Sequence, residues 1–250
     1  MRLSQSVLAV TFWSSFVLAL PAENNQDSYQ TSNLVSRDGW NPTRNIVHLS
    51  MGEAKQHMGN LTDEDVYQFV IDSLRKLCTT EKCDDADYIS HGGGDDCCSG
   101  SKTKDGIWYR NWDNDHQANN AHITLHIESG YLWKQRELRE LMLMTVAETY
   151  KREITYHGSN CYDERFQDGS TLKFCNVGQK VHLSANGLSL KTQLTFNGNT
   201  DYGNATCKDW KDEVQKGTDL YKPDYIKISG LADYLKLESD CCDEKGQNCR

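Results

Sequence analysis

Apolar residues recur at helical spacing most clearly between Leu61 and Leu77, where Val66, Phe69, Val70, Leu74 and Leu77 form one stripe. Thr62 and Asp65 have the spacing of a capping box, and Leu61 is placed to staple against Val66. Arg75 and Lys76 sit where the negative end of the helix dipole favours cations. The pattern predicts a helix over 61–77. A second helix is predicted over 131–152. Its first half carries charges, and its second half holds Leu141, Met142, Leu143, Met144, Val146 and Ala147. Apolar residues on several sides of that half predict burial on more than one face.

Elsewhere the period falls to two. Segments 44–51, 107–112, 121–128, 154–157, 171–174, 180–184, 188–196 and 225–228 read as short strands. In 121–128, His122, Thr124, His126 and Glu128 share one face and Ile123, Leu125 and Ile127 the other. Asn186-Gly187 separates two of these runs and is a hairpin signal. Residues 78–106 read as a loop rich in Cys, Asp and Gly, and the cysteine-rich end, 241–250, has no periodicity. There is no internal repeat. Runs of strands without a regular βαβ alternation predict an α+β fold, with residues 40–250 forming a single disulfide-stapled domain of antiparallel sheet and two main helices.

The first two dozen residues break both patterns. Arg2 precedes an apolar segment, Val7 to Leu20, interrupted only by Thr11, Ser14 and Ser15. Leu20-Pro21-Ala22 then offers a small residue at a cleavage position, and Glu23 to Ser28 is wholly polar. This is the three-part pattern of a secretory signal peptide over 1–22, followed by a flexible polar segment over 23–39. The rival reading is a retained anchor, but the apolar segment is shorter than the ~20 residues a membrane-spanning helix needs. No span is therefore expected after cleavage, and the chain is expected to be secreted and extracellular.

That address changes the meaning of the ten cysteines among 250 residues. Cys78, Cys83, Cys97, Cys98, Cys161, Cys175, Cys207, Cys241, Cys242 and Cys249 all follow the leader, and an even set in an exported chain reads as disulfides. The pairing stays open: Cys78 and Cys83 are close enough to close a small loop, while the adjacent pairs Cys97-Cys98 and Cys241-Cys242 are expected to send each sulfur to a different partner. Zinc-type paired short spacings are missing, and no cofactor or metal is expected. Two sequons, at Asn60 and Asn204, fit a glycoprotein on the secretory route. The formal charge is −9, from 27 Lys+Arg against 36 Asp+Glu, and becomes −10 when Arg2 leaves with the leader. An acidic chain of this kind is not expected to bind nucleic acid in general, since phosphate contacts need a basic surface.

Four motifs carry candidate chemistry. The tetrapeptides His48-Leu49-Ser50-Met51, His122-Ile123-Thr124-Leu125 and His182-Leu183-Ser184-Ala185 each place an imidazole and a hydroxyl on one face of a strand. Two such strands side by side would aim two imidazoles at one phosphodiester, one as base and one as acid, with hydroxyls on the non-bridging oxygens. In this respect the tetrapeptides resemble the paired motif of the two-histidine phosphoesterases, which implies His122, Thr124, His182 and Ser184 as a catalytic set. The bland alternative is half-exposed strand histidines. The loop His91-Gly92-Gly93-Gly94 is similar to a lipase-type oxyanion loop, but no G-x-S-x-G elbow accompanies it, so its glycines are read as easing the chain around Cys97 and Cys98. Asp113, Asp115 and His116, with Asp84, Asp85 and Asp87, lack EF-hand spacing and are read as solvated loop acids. Lys151-Arg152 is either a dibasic processing site or a helix end; with the cysteines it resembles the processed, disulfide-linked yeast killer toxins.

Trp108, Tyr109 and Trp112 cluster around Arg110 and are suited equally to an interface or to a core. With no complete catalytic constellation, the chain is expected to act by binding an unknown extracellular or cell-surface partner, as an effector- or toxin-like protein. The alternative is a secreted, metal-independent phosphodiesterase or nuclease using paired strand histidines.

Overall fold

The first described strand, β1 (Ile46–Gly52), turns Val47, Leu49 and Met51 to one face, where they are completely buried. A short β2 (Lys55–His57) leads to α1 (Asp63–Leu77). There the capping box is complete: the Asp65 N–H donates to Thr62 Oγ1, and the Thr62 N–H donates to the Asp65 carboxylate. The chain continues through β3 (Ser101–Asn111), β4 (His116–Tyr131) and α2 (Arg136–Thr155). Four strands follow: β5 (Cys161–Arg165), β6 (Thr171–Gly178), β7 (Lys180–Ala185) and β8 (Leu188–Phe196). Last come α3 (Cys207–Leu220), α4 (Lys222–Ser229) and β9 (Lys236–Cys242). The computed structural model describes residues 46–52, 54–78, 101–113, 116–131, 136–155, 161–198, 207–231, 233 and 235–242. The leader, the polar segment that follows it, the His91 glycine loop, Asn204 and Cys83, Cys97, Cys98 and Cys249 lie outside them.

Six strands form the main sheet in the order β3-β4-β8-β7-β1-β9, and β2-β6-β5 form a second, smaller one. All pairings in the main sheet are antiparallel except β1 with β9, which is parallel. Asn186 and Gly187, at φ 49° and 81°, join β7 to β8 in the left-handed region that a two-residue hairpin requires. Helices α1 and α2 pack on each other and on one face of the main sheet, where Ile123, Leu125, Val181, Leu183, Leu190 and Leu194 are fully covered. Each such side chain contributes about 1.5–3 kcal/mol by leaving water. α2 is buried on several sides because α1, α3 and both sheets surround it, which accounts for its weak periodicity. Even Tyr150 and Tyr225 are buried there, with their hydroxyls satisfied by Thr192 at 3.2 Å and Thr145 at 2.8 Å.

Two disulfides join described residues. Cys161–Cys175 links directly opposed positions of β5 and β6, and Cys207–Cys241 ties the start of α3 to β9. Cys78 is also disulfide-bonded. Cys241 reaches across the fold to Cys207 rather than to its neighbour Cys242.

Several expectations need correction. The described fold has four helices and two sheets, and the main sheet is mixed. Segment 225–228 is helical because Pro223 starts α4 and Gly230, at φ 67°, caps it. Segment 154–157 is not a strand at its start: α2 runs on to Thr155, whose hydroxyl lies 2.9 Å from both Lys151 O and the Asp63 carboxylate and donates to one of them. Residues 101–106 are the start of β3 rather than loop. α3 and β9 are not among the predicted elements: the buried positions of α3, Cys207, Val214, Gly217 and Thr218, fall at helical spacing but include few large apolar residues, and β9 buries Ser239.

Gly59 shows how tightly β3 is held. At φ 58°, its N–H donates to His57 Nδ1 at 2.7 Å, and a Cβ there would lie 2.1 Å from Ile107 Cγ2 and 2.6 Å from Trp108 O. Gly59→Ala combines left-handed strain with a clash against backbone, and should cost about 1–3 kcal/mol. A lowered denaturation midpoint with an unchanged m-value would show it.

Candidate functional site

Alternation along the main sheet leaves its second face to polar side chains. On β4 these are His122, Thr124, His126 and Glu128; on β8, Thr195, Gln193, Lys191 and Ser189; on β7, Lys180, His182 and Ser184; on β1, His48 and Ser50; and on β9, Glu238 and Asp240. The strand register arranges them in rows. Thr103, Thr124 and Thr195 stand side by side on three strands, with the first two hydroxyls 2.9 Å apart. The His126 imidazole meets Thr195 Oγ1 at 3.1 Å, and Lys180 pairs with Glu128 at 2.5 Å.

The register also decides which of the three tetrapeptides meet. β1 and β7 are antiparallel neighbours in which His48 faces Ser184 and Ser50 faces His182. The two motifs therefore interlock reciprocally, each imidazole opposite the other strand's hydroxyl. On adjacent strands, opposed side chains start about 4.5–5.5 Å apart and diagonal ones about 7–8 Å, so His48 and His182 share one small area. Ser50 is only 1% exposed although it belongs to this face, so the centre of the area is shielded from water. Its hydroxyl donates to His182 O at 3.4 Å.

His122 and Thr124 lie elsewhere. His122 is level with Asn197, to which it is bonded through both backbone and side chain, whereas His182 is level with Lys191. Six residues of β8 at roughly 3.4 Å each, and two strand spacings of about 4.8 Å, separate the two imidazoles. One phosphate cannot touch both, because acid–base contacts reach about 3 Å. The expected set of His122, Thr124, His182 and Ser184 thus divides. His182 and Ser184 belong with His48 and Ser50, while His122 and Thr124 belong to the threonine row. The reason is topological: β8 inserts between β4 and β7, and strand order cannot be read from alternation within strands.

Charge around the interlocked pair is uneven. Glu238 and Asp240 of β9 stand beside His48 and Ser50, and Lys191 of β8 stands beside His182. The His182 Nε2 lies 2.9 Å from Ser189 Oγ. Its pKa falls from 6.5 to about 4, first because burial disfavours the charged ring and then through Lys191 and His48, with Glu128 opposing. His182 is therefore neutral at pH 7. Burial pushes the Asp240 carboxyl upward, but the Cys241 N–H at 2.9 Å and Lys211 at 3.1 Å together hold it below its ordinary range.

The remaining candidates are placed as follows. Tyr109 is core, edge-on to Phe196 at 5.6 Å, while Trp108 and Trp112 are 38% and 63% exposed, so that aromatic cluster divides. Asn60 is half-buried and accepts the Trp108 N–H at 3.1 Å. Lys151 and Arg152 lie inside α2. Lys151 pairs with Glu64 at 2.5 Å and lies over the Tyr67 ring, and Arg152 pairs with Glu148 at 2.5 Å. Cleavage there requires α2 to open. Among the described residues, no three His, Cys, Asp or Glu side chains are grouped to hold a metal ion, and no helix is long and apolar enough to cross a membrane.

Two buried titratable groups escaped notice in the sequence. His57 is completely buried among Phe174, Phe196 and Tyr162, and nothing distinguishes it from a surface histidine except its place on a three-residue strand. Glu153 is fully buried in α2, where its Oε2 accepts the Gly178 N–H at 2.5 Å; burial raises its pKa well above the usual carboxylate value. The chain matches no known family model, no curated protein and no solved structure.

Proposed function

We propose that the chain is a secreted, disulfide-stabilised extracellular protein, effector- or toxin-like, that acts by binding through the polar face of its six-stranded sheet. One observation carries this reading: α1 and α2 cover a single face of that sheet, while the other holds rows of half-exposed hydroxyl, imidazole and amide groups on adjacent strands. Hydrogen-bonding groups on a rigid sheet are pre-ordered, so a partner meets them without a large ordering cost. The cysteine set and the leader-like N-terminus support an extracellular setting. The mixed charges favour neither a polyanion nor an apolar surface.

The reading is tested with fluorescently labelled protein titrated onto intact cells and isolated cell walls. A Thr103→Glu/Thr124→Glu/Thr195→Glu variant should bind at least about tenfold more weakly, because three carboxylates would replace one continuous row. Lys222→Glu, on the exposed side of α4, should bind like the parent. Absence of saturable binding, or equal binding by the triple variant with its fold intact, would reject the surface.

A further inference from the structure

We propose that His48 and His182 form an acid–base pair acting on a phosphodiester that carries a neighbouring hydroxyl, the linkage found in RNA. The inference concerns the β1–β7 end of the same polar face, apart from the threonine row that tests the binding reading, and rests on the interlocked register of β1 and β7. His48 opposite Ser184, and Ser50 opposite His182, put two imidazoles and the Ser184 hydroxyl around one area of the sheet. Diagonal positions on adjacent strands start about 7–8 Å apart, so a phosphate seated there would meet His48 from β1 and would take the place of Ser189 Oγ, now 2.9 Å from His182 Nε2, on the other ring. Two further features suit this chemistry. The buried Ser50 shows that the area is partly withdrawn from water, which strengthens polar contacts to a reacting group. The two rings also stand in opposite charge settings, with Lys191 beside His182 and the β9 carboxylates beside His48.

His182, neutral at pH 7, is the base. It accepts the proton of the neighbouring hydroxyl as that oxygen attacks phosphorus. The new O–P bond forms as the bond from phosphorus to the 5′-oxygen breaks, and the His48 imidazolium gives the proton that the departing oxygen needs, in the role of acid. Lys191 and the Ser184 hydroxyl face the non-bridging oxygens. The products are a cyclic phosphate and a free 5′-hydroxyl. No water, metal or redox partner is consumed, and the two rings have exchanged protonation states. Water attack on the cyclic ester, with the roles reversed, restores both. Of the carboxylates on this face, Glu128 is paired with Lys180 and Asp240 with Lys211, while Glu238 stands beside His48. Short substrates are favoured over long polyanions, because the chain as a whole carries −9.

The test uses the full chain, purified with its disulfides intact, on the dinucleotide uridylyl-adenosine in EDTA, beside its 2′-deoxy analogue. The expected result is release of a cyclic phosphate from the ribonucleotide only, with a bell-shaped pH dependence. His48→Asn and His182→Asn should each lower the rate by about 100-fold or more, and the double variant should be little worse than either, as for groups that act as a unit. His116→Asn, at the start of β4, should keep parental activity. Circular dichroism of each variant separates a lost proton transfer from a lost fold. No cleavage by the parent chain, equal cleavage of the deoxy analogue, or a folded single variant within threefold of the parent would overturn the proposal.

Discussion

Acidification from pH 7 to pH 4 is expected to cost the fold about 3 kcal/mol through His57 alone. The ring is completely buried; its Nδ1 accepts the Gly59 N–H at 2.7 Å, its Nε2 meets Tyr162 Oη at 3.1 Å, and Phe196 lies 5.0 Å away. A bare nitrogen that accepts a backbone N–H has no room for a second proton. Burial lowers the pKa from 6.5 to about 4. The folded state therefore binds the proton less readily than the unfolded chain. The contribution is fully present above the unfolded value near 6.5, and it is lost progressively as the pH falls through 6.5 toward 4. Each tenfold difference in proton affinity between the two states corresponds to about 1.4 kcal/mol. His182 adds to the same loss, but it is partly exposed and solvent weakens its share.

Glu153 acts in the opposite sense. Its folded pKa is raised, so the stability linked to its proton is complete below the normal carboxylate range and declines as the pH rises through the folded value. The two groups predict a stability maximum on the mildly acidic side of neutrality rather than at high pH. Urea titrations from pH 4 to pH 8 would show it, with His57→Asn as the discriminating variant. Asn keeps an acceptor for the Gly59 N–H but cannot titrate. It should be less stable at pH 7 by about 2–3 kcal/mol through lost ring packing, and between pH 6.5 and pH 4 it should lose the fall toward acid that His57 causes and keep the opposite slope of Glu153. An equally steep acid limb in His57→Asn would rule out His57 as its source.

His57 also illustrates what could and could not be read along the chain. α1 was legible because everything that makes it is local: a capping box, one apolar stripe and basic residues in the last turn. The β7–β8 hairpin was legible for the same reason, through Asn186-Gly187. α4 carried its signals too, Pro223 and Gly230, but a short β-branched and aromatic run outweighed them. β9 and α3 were obscured because they satisfy each other with polar atoms: Gln215 accepts the Ser239 N–H at 2.8 Å and its hydroxyl proton at 2.9 Å. In α3 the buried positions keep helical spacing, but Cys207 and Val214 are the described buried apolar residues among many charged ones, so the pattern is faint. The candidate site shows the same boundary. Alternation put each His and hydroxyl on one face, and that holds for all three tetrapeptides. Which strands are neighbours depends on the whole sheet, so His48 rather than His122 became the partner of His182.

The polar joint between α3 and β9 makes the Cys207–Cys241 disulfide the largest single contributor expected among the described cross-links. Among the described strands β9 lies at the edge and pairs with β1, and its described polar contacts with α3 are the Gln215 bonds to Ser239 and Leu237 O, the Ser239 hydroxyl at Lys211 O and the Lys211–Asp240 ion pair at 3.1 Å. The last of these lies at the surface and contributes little. The bridge closes a sequence separation of 34, against 14 for Cys161–Cys175. Chain entropy then assigns it about 3.8 kcal/mol, compared with about 3 for the shorter loop. Cys161 and Cys175 are moreover already opposed in a ladder, so β5 and β6 keep their pairing when that bridge is removed. The Cys207→Ala/Cys241→Ala variant should accordingly lower the melting temperature by roughly 10 °C, and Cys161→Ala/Cys175→Ala by less. Hydrogen exchange separates the causes. In the first variant, β9 amides and the first turns of α3 should lose protection before those of β7 and β8, because the edge strand is freed while the centre of the sheet stays packed. Unchanged β9 protection, or a larger melting shift from the Cys161–Cys175 pair, would mean that β1 pairing and the Gln215 contacts hold the edge without the sulfur link.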